Sequence, residues 1–152
     1  MGSCLCRCEE RRLRRVPLRP QAYKGPPRVG ETVLFLVTRV IDGDTFEGHY
    51  LTRRGDPMYV CVRTSGINAP EKRTVAGRLV AEVVRRLIEG MIIRVRLLSW
   101  GTYRGRVIGC ASYADRLLGR GLAKPYSGDG RKPKWSDAEL AAVERILIPT
   151  MT

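Results

Sequence analysis

Two short turns in the sequence carry residue types that can hold a cation or move a proton. The first is DGD in VIDGDTF, where Asp42 and Asp44 flank a glycine after an apolar run. The second is NAPE, where Asn68 and Glu71 follow another apolar run. Carboxylate, amide and carbonyl oxygens are the usual ligands of Ca²⁺ and Mg²⁺. Each turn alone is more often an ordinary polar turn, but the two together predict a shared cation site.

The segments around these turns predict a small, mainly β barrel. Five runs rich in β-branched and apolar residues have the length of short strands, and the DGD turn joins the first two as a hairpin. Five short strands are typical of a small closed barrel, which would bring the two turns to strand ends. The predicted strands cover residues 31–40, 45–50, 58–67, 91–100 and 106–113.

About three helices are predicted beside the barrel. Apolar residues over 75–88 recur at helical spacing before Gly90, which predicts a helix with one face on the core. A short helix is expected to begin at Ala114 and to end at Gly121. The last helix begins with a capping box of Ser136 and Glu139 and is expected to end before Pro149.

Composition predicts one domain with a basic arm. The chain has 152 residues and a net charge of +13, which attracts polyanions such as nucleic acid. Residues 1–30 mix arginine with proline and glycine and lack apolar periodicity, so they are predicted to be a disordered basic arm. The folded domain is expected over residues 31–150, as a monomer. A basic surface without a nucleic-acid partner is the alternative.

Four segments in this order resemble the staphylococcal-nuclease-like, or thermonuclease, family: VIDGDTF, VRTSGINAPEKR, YRGRVIG and GLAKPY. The resemblance covers about residues 33–135. It implies an α+β fold, a five-stranded OB-type barrel with three helices. It also implies an endonuclease that hydrolyses DNA or RNA, single- or double-stranded, with low sequence specificity. The implied cofactor is Ca²⁺, with Mg²⁺ or Mn²⁺ as alternatives.

The resemblance also implies a metal site. By position, Asp44 is a metal carboxylate, Ala69 a ligand through its backbone carbonyl, and Asp42 an outer-sphere group. Asn68 stands where the family usually has aspartate. An amide oxygen can ligate Ca²⁺, but the site loses one negative charge, which predicts weaker metal binding.

The implied catalytic residues are Arg63, Glu71 and Arg106. Two guanidinium groups can neutralise a phosphodiester while water attacks it, and Glu71 would act as general base or hold the water. The alternatives are arginines that lie along barrel strands with their charged ends in water, and a loop glutamate paired with Lys72 or Arg73.

The substrate-binding residues implied are Tyr126, Tyr103, Arg104 and Lys124. Aromatic side chains in a basic groove can stack bases of a single strand. The correspondence with the family is weaker at Tyr103 and Arg104, because TYRGR reverses the family's usual order of basic residue and tyrosine.

Other functions and locations compete with the nuclease. A non-catalytic OB-type module that binds nucleic acid is the alternative function, and Asn68 favours it. No stretch is long enough for a membrane span or secretory signal, which predicts an intracellular protein. The cluster Cys4, Cys6 and Cys8 lacks zinc spacing but leaves membrane association through lipid open. Cys61 and Cys110 are expected to be buried, reduced thiols.

Overall fold

A computed structural model describes residues 4–15, 28–100 and 106–151. Seven strands and four helices lie in this part of the chain. The strands are β1 (Thr32–Asp42), β2 (Thr45–Leu51), β3 (Pro57–Thr64), β4 (Gly66–Asn68), β5 (Ile92–Trp100), β6 (Arg106–Ala111) and β7 (Lys124–Tyr126). The helices are α1 (Cys4–Arg15), α2 (Val75–Ile88), α3 (Tyr113–Gly119) and α4 (Asp137–Met151).

Five of the strands close into a barrel in the order β1-β2-β3-β6-β5. Neighbouring strands are antiparallel except β3 and β6, which are parallel, and β1 pairs with β5 to close the sheet. The predicted five-stranded, OB-like barrel is therefore confirmed. The DGD turn joins β1 to β2 as expected, with Asp42 opposite Thr45.

The barrel core is aromatic and aliphatic, and α2 packs against it. Phe35 and Phe46 are fully buried and meet edge to face, with ring centroids 5.5 Å apart. Helix α2 begins after Thr74, whose hydroxyl accepts a hydrogen bond from the Gly77 backbone N–H at 2.9 Å. Its buried face includes Val80 and Val84. Helix α2 thus covers the residues that the apolar spacing predicted, and it buries one face as expected.

Residues 4–15, which fall within the predicted basic arm, form helix α1. Leu13 is fully buried against Leu36 and Leu51 on the outside of the barrel. The backbone carbonyl of Leu13 lies 3.0 Å from the Nε2 atom of the buried His49. One well-placed leucine thus gives this arginine-rich segment an apolar contact. Residues 1–3 and 16–27 of the predicted arm lie outside the described residues.

Two differences from the prediction concern strand and helix ends. β4 and β7 form a separate two-stranded antiparallel sheet, which pairs Asn68 with Lys124 and was not predicted. Helix α4 continues through Pro149 to Met151, whereas Pro149 was expected to end it. A proline inside a helix removes one hydrogen bond and its ring crowds the carbonyl four residues before it, and here both effects fall near the end of the helix.

Cys8, Cys61 and Cys110 are free cysteines, which agrees with the prediction for Cys61 and Cys110. The expectation of burial is wrong for Cys110, which is exposed because it lies opposite the exposed Arg96 in the β5–β6 pair. Cys61 is half-buried, and burial raises the pKa of its thiol. Among the described residues, no helix combines the length and apolar character needed to cross a membrane.

Candidate metal and phosphate site

The two oxygen-rich turns meet at one end of the barrel. The Oδ2 atom of Asp44, on the β1–β2 turn, accepts a hydrogen bond from the Ala69 backbone N–H at 2.9 Å. Gly43 allows this approach, since a Cβ atom there would lie 2.6 Å from the Cβ of Ala69. The sequence therefore places a residue without a side chain where the turn contacts the loop after β4.

A cleft of about 650 Å³ lies beside this contact. We call it the carboxylate cleft, and its acidic lining residues are Asp42, Asp44, Glu71 and Asp137. Basic residues of the cationic segment GRKPKW also line the cleft, and they were not among the site residues predicted from the sequence. The other lining residues used below are Asn68, Ala69, Arg73, Arg131, Lys132, Lys134 and Trp135.

Asp44 is the most enclosed of the acids, with 8% of its surface exposed. Its Oδ1 accepts from the Thr45 hydroxyl at 3.0 Å, and its own N–H donates to Asp42 at 3.1 Å. Burial, together with the nearby charge of Asp42, raises the pKa of Asp44 to about 6, although the Arg63 guanidinium opposes this rise. A carboxylate held in this way gains from a cation placed beside it.

Arg63 links the carboxylate cleft to the interior of the barrel end. Its Nη2 atom lies 3.2 Å from the Oδ2 of Asp44. Its Nη1 atom donates to the backbone carbonyls of Thr64 and Ile67, at 2.8 and 3.0 Å. Through these contacts Arg63 holds Asp44 and the β3–β4 connection in place, while its Nη2 atom is buried and makes no hydrogen bond within the described part of the chain.

A second cleft of about 530 Å³ adjoins the first. We call it the guanidinium cleft. The parallel pairing of β3 and β6 sets Arg63 opposite Ile108 and Cys61 opposite Arg106, which brings both arginines to the same cleft. The Nε atom of Arg106 is buried and makes no hydrogen bond within the described part of the chain. The lining residues that matter here are Arg63, Trp100, Arg106, Ile108, Tyr126 and Lys132.

Glu71 lies at the mouth of the carboxylate cleft. Its side chain is 66% exposed, and its carboxylate is 2.6 Å from the Nε of Arg73. The structure therefore combines the two interpretations made from the sequence, because Glu71 faces the predicted site and also pairs with a neighbouring arginine.

Asn68 lies in the same cleft and is buried. Its side-chain Nδ2 donates to the Pro133 carbonyl at 3.1 Å. This bond attaches β4 to the basic segment that follows β7. It gives the amide a structural role that an aspartate could not fill, since a carboxylate has no N–H to donate.

The predicted substrate-binding residues separate into three cases. Tyr126 lines the guanidinium cleft, and its hydroxyl donates to the Gly130 carbonyl at 3.2 Å. The ammonium of Lys124 is instead bound to Glu139 and to the Lys134 carbonyl, both at 2.7 Å. Tyr103 and Arg104 lie outside the described residues.

The oxygen atoms that line the carboxylate cleft suit a hard cation, although few of them carry a negative charge. Among the residues that the structure describes, no three His, Cys, Asp or Glu side chains are grouped to hold a metal ion. A cation in the carboxylate cleft would therefore depend on Asp44 and Asp42 together with the neutral oxygens of Asn68 and Ala69. That oxygen-only set is one that Ca²⁺ or Mg²⁺ accepts.

The clefts thus bring together residues from four distant segments of the chain, and these segments carry the family resemblance. Comparison with known proteins adds no relative to this picture. No family model and no curated protein matches the chain.

Proposed function

We propose that the protein is a metal-dependent phosphodiester hydrolase that cuts DNA or RNA with low sequence specificity. One observation supports this most strongly. Acidic residues from the β1–β2 turn and the loop after β4 line one cleft, and two arginines line the cleft beside it. A phosphodiester bound across the two clefts would have acids on one side and guanidinium groups on the other.

The cation would be held by Asp44 and the Ala69 carbonyl, with Asp42 and Asn68 around it. When bound, it supplies positive charge to a phosphate oxygen and makes a nearby water a better nucleophile. Arg63 acts here as a positioning residue, because it fixes Asp44 through their 3.2 Å ion pair. Its loss would leave a buried carboxylate without its partner.

Arg106 is a candidate for direct contact with phosphate. Its buried Nε has no acceptor among the described residues, and a phosphate oxygen would satisfy it. A guanidinium group can bind two phosphate oxygens at once. As water attacks phosphorus and the 5′ oxygen leaves, negative charge grows on these oxygens, so the contact strengthens in the transition state.

Glu71 is placed to accept a proton from the attacking water or to orient it. Its ion pair with Arg73 is exposed, and pairs of this kind contribute only about 0–1 kcal/mol. The carboxylate can therefore leave Arg73 at little cost when substrate binds. Arg73 is then available to contact the same phosphate group.

A nucleic-acid-binding module without catalysis is the second candidate. It is favoured by two observations: Asn68 removes a charge from the metal site and is bound to Pro133, and Glu71 is paired with Arg73. Such a module would bind through the same basic residues without cutting.

Cleavage of labelled single-stranded DNA and RNA tests the proposal. The purified protein is given Ca²⁺, Mg²⁺ or Mn²⁺ in turn, with EDTA as the metal-free reference. We expect metal-dependent cutting and a loss of about 100-fold or more in rate for Glu71→Gln, the range typical of a proton-transfer group. Salt-sensitive binding with no cutting under any metal would favour the binding module instead.

Glu47→Gln is the matched control for Glu71→Gln. Glu47 also forms an ion pair with an arginine, at 2.7 Å from the Nε of Arg39, but it does not line either cleft. The control variant should cut at the parent rate. An equal loss of rate in both variants would mean that general charge, and not the cleft, explains the effect.

A further inference from the structure

Trp100 is an exposed aromatic residue at the end of β5 that lines the guanidinium cleft. The β5–β6 pairing has a register shift between Leu97 and Ser99, and the last three residues of β5 are all exposed. Irregularities of this kind re-aim side chains at the rims of barrels. Trp100 retains 41% of its surface exposed, which is a large apolar area to leave in water.

The neighbours of Trp100 have the chemistry of a nucleotide site. Arg106 and Lys132 provide positive charge for a phosphate in the same cleft. Tyr126 provides a second aromatic ring, which its hydroxyl bond to Gly130 helps to hold in place. A flat aromatic surface beside cations is the arrangement by which proteins bind single strands, because every base has a face that can stack.

We propose that Trp100 is a stacking platform for one unpaired nucleobase, so that the guanidinium cleft selects single-stranded over double-stranded nucleic acid. This inference rests on the proposed function and adds a residue and a strand preference to it. A base inside a duplex is already stacked on both faces and cannot offer one to Trp100.

The two clefts are arranged so that the strand can continue from Trp100 to the metal site. Lys132 lines both clefts, and Arg63 contacts Asp44 while it also lines the guanidinium cleft. A nucleotide stacked on Trp100 would therefore lie in a cleft that shares Lys132 with the carboxylate cleft. Stacking would then position the phosphate that is cut.

The other tryptophan does not compete for this role. Trp135 is half-buried, its Nε1 is enclosed, and the ammonium of Lys124 lies 5.0 Å from its ring centroid. One ring face is thus already in contact with a cation. Trp135 can be replaced by phenylalanine, which leaves Trp100 as the single fluorescent tryptophan of a chain that has two.

The experiment measures tryptophan fluorescence of the Trp135→Phe protein in EDTA, so that binding is observed without cutting. A single-stranded oligonucleotide and the same sequence as a duplex are titrated separately. We expect saturable quenching by the single strand and much weaker quenching by the duplex. In the otherwise unaltered protein, Trp100→Ala should weaken single-strand binding by about tenfold or more, Trp100→Phe should retain most of it, and duplex binding should change little.

Leu98→Ala is the matched control, since Leu98 is exposed on the same strand and does not line the guanidinium cleft. It should bind like the parent. If the parent binds or cuts nucleic acid but Trp100→Ala binds the single strand equally well, the platform is refuted and the nuclease proposal stands. Equal losses for single strand and duplex would refute the strand preference. If the parent protein neither binds nor cuts nucleic acid, the proposed function itself is refuted, and the platform with it.

Discussion

Asp44 is the residue at which the demands of folding and of metal binding conflict. The fold encloses its carboxylate beside Asp42, and the Arg63 guanidinium, 3.2 Å away, only partly offsets the cost of charging it. Charging it without a metal is therefore unfavourable, which is why its pKa rises to about 6 from an ordinary value of 3.8. The metal-free protein should lose stability when Asp44 ionises, and this loss is measurable.

The pH dependence of Asp44→Asn tests this conflict. Between pH 3.8 and about 6 the folded protein keeps a proton that the unfolded chain has released, so this group stabilises the fold at low pH and loses that contribution as pH rises. The asparagine variant does not titrate there. Relative to the parent, its free energy of unfolding should gain up to about 3 kcal/mol between about pH 4 and pH 7.

Urea denaturation of both proteins in EDTA gives this comparison. Any constant cost of removing the partner of Arg63 cancels, because only the change with pH is compared. Parallel stability profiles for the two proteins would contradict a raised pKa at Asp44.

Asn68→Asp should change metal affinity and metal-free stability in opposite directions. The new carboxylate adds a negative charge to the cleft, which should raise Ca²⁺ affinity. It also loses the hydrogen bond to the Pro133 carbonyl and places oxygen against oxygen, at a cost of about 1–3 kcal/mol without metal. Calorimetric Ca²⁺ titration and denaturation with and without Ca²⁺ measure the two effects.

Asn68→Ala is the control for this substitution, because it removes the same hydrogen bond without adding charge. It should lose stability without gaining affinity for Ca²⁺. If Asn68→Asp leaves both affinity and cleavage rate unchanged, position 68 does not face the cation.

At the scale of elements, the site depends on how closely helix α2 approaches the loop after β4. A Cβ atom on Gly77 would lie 2.0 Å from the backbone carbonyl oxygen of Glu71. Gly77→Ala should therefore separate the first turn of α2 from the loop that carries Ala69 and Glu71. We expect a loss of about 1–3 kcal/mol in stability and a fall in cleavage rate.

Gly119→Ala provides a matched substitution for Gly77→Ala. It also lies in a helix, α3, and a Cβ atom there meets nothing within 4 Å. Unfolding curves should place it at or slightly above the parent stability, since alanine favours helices by up to about 1 kcal/mol over glycine. A Gly77→Ala protein as stable and active as the parent would show that this close approach is not needed.

Elements with a clear periodicity could be predicted from the sequence, whereas contacts between distant residues could not. The strands of the barrel and helix α2 have visible apolar patterns, and the Ser136–Glu139 capping box forms as expected, with bonds of 2.8 and 3.2 Å. The pairing of β4 with β7 joins segments more than fifty residues apart, and nothing local indicates it.

The same distinction holds for the candidate site. Motif spacing identified some of the residues that line the two clefts, but neither the basic residues after β7 nor the partners that determine what the identified residues can do. The Asn68 bond to Pro133 and the Lys124 pair with Glu139 depend on tertiary packing. Trp100 was missed because a tryptophan at the end of an apolar strand is ordinarily interpreted as part of the core.

At the scale of the whole molecule, the net charge of +13 should make binding of nucleic acid strongly dependent on salt. Part of this charge lies on α1, whose Arg7, Arg11, Arg14 and Arg15 are exposed. Deleting the segment would also remove Leu13 from its contact with Leu36 and Leu51 and would confuse charge with folding. Replacing the four arginines by glutamine changes the charge and keeps that contact.

The salt dependence of single-strand binding tests whether α1 takes part. Each phosphate that the variant no longer neutralises should make the slope of log affinity against log salt concentration shallower by about 0.7. We expect the four-arginine variant to bind with a shallower slope and an unchanged ratio between different base sequences, because phosphate contacts carry no sequence information. Thermal unfolding should match the parent, since Leu13 is retained. A slope equal to that of the parent would mean that the bound strand does not reach α1, and that the two clefts with their own basic residues supply the whole electrostatic attraction.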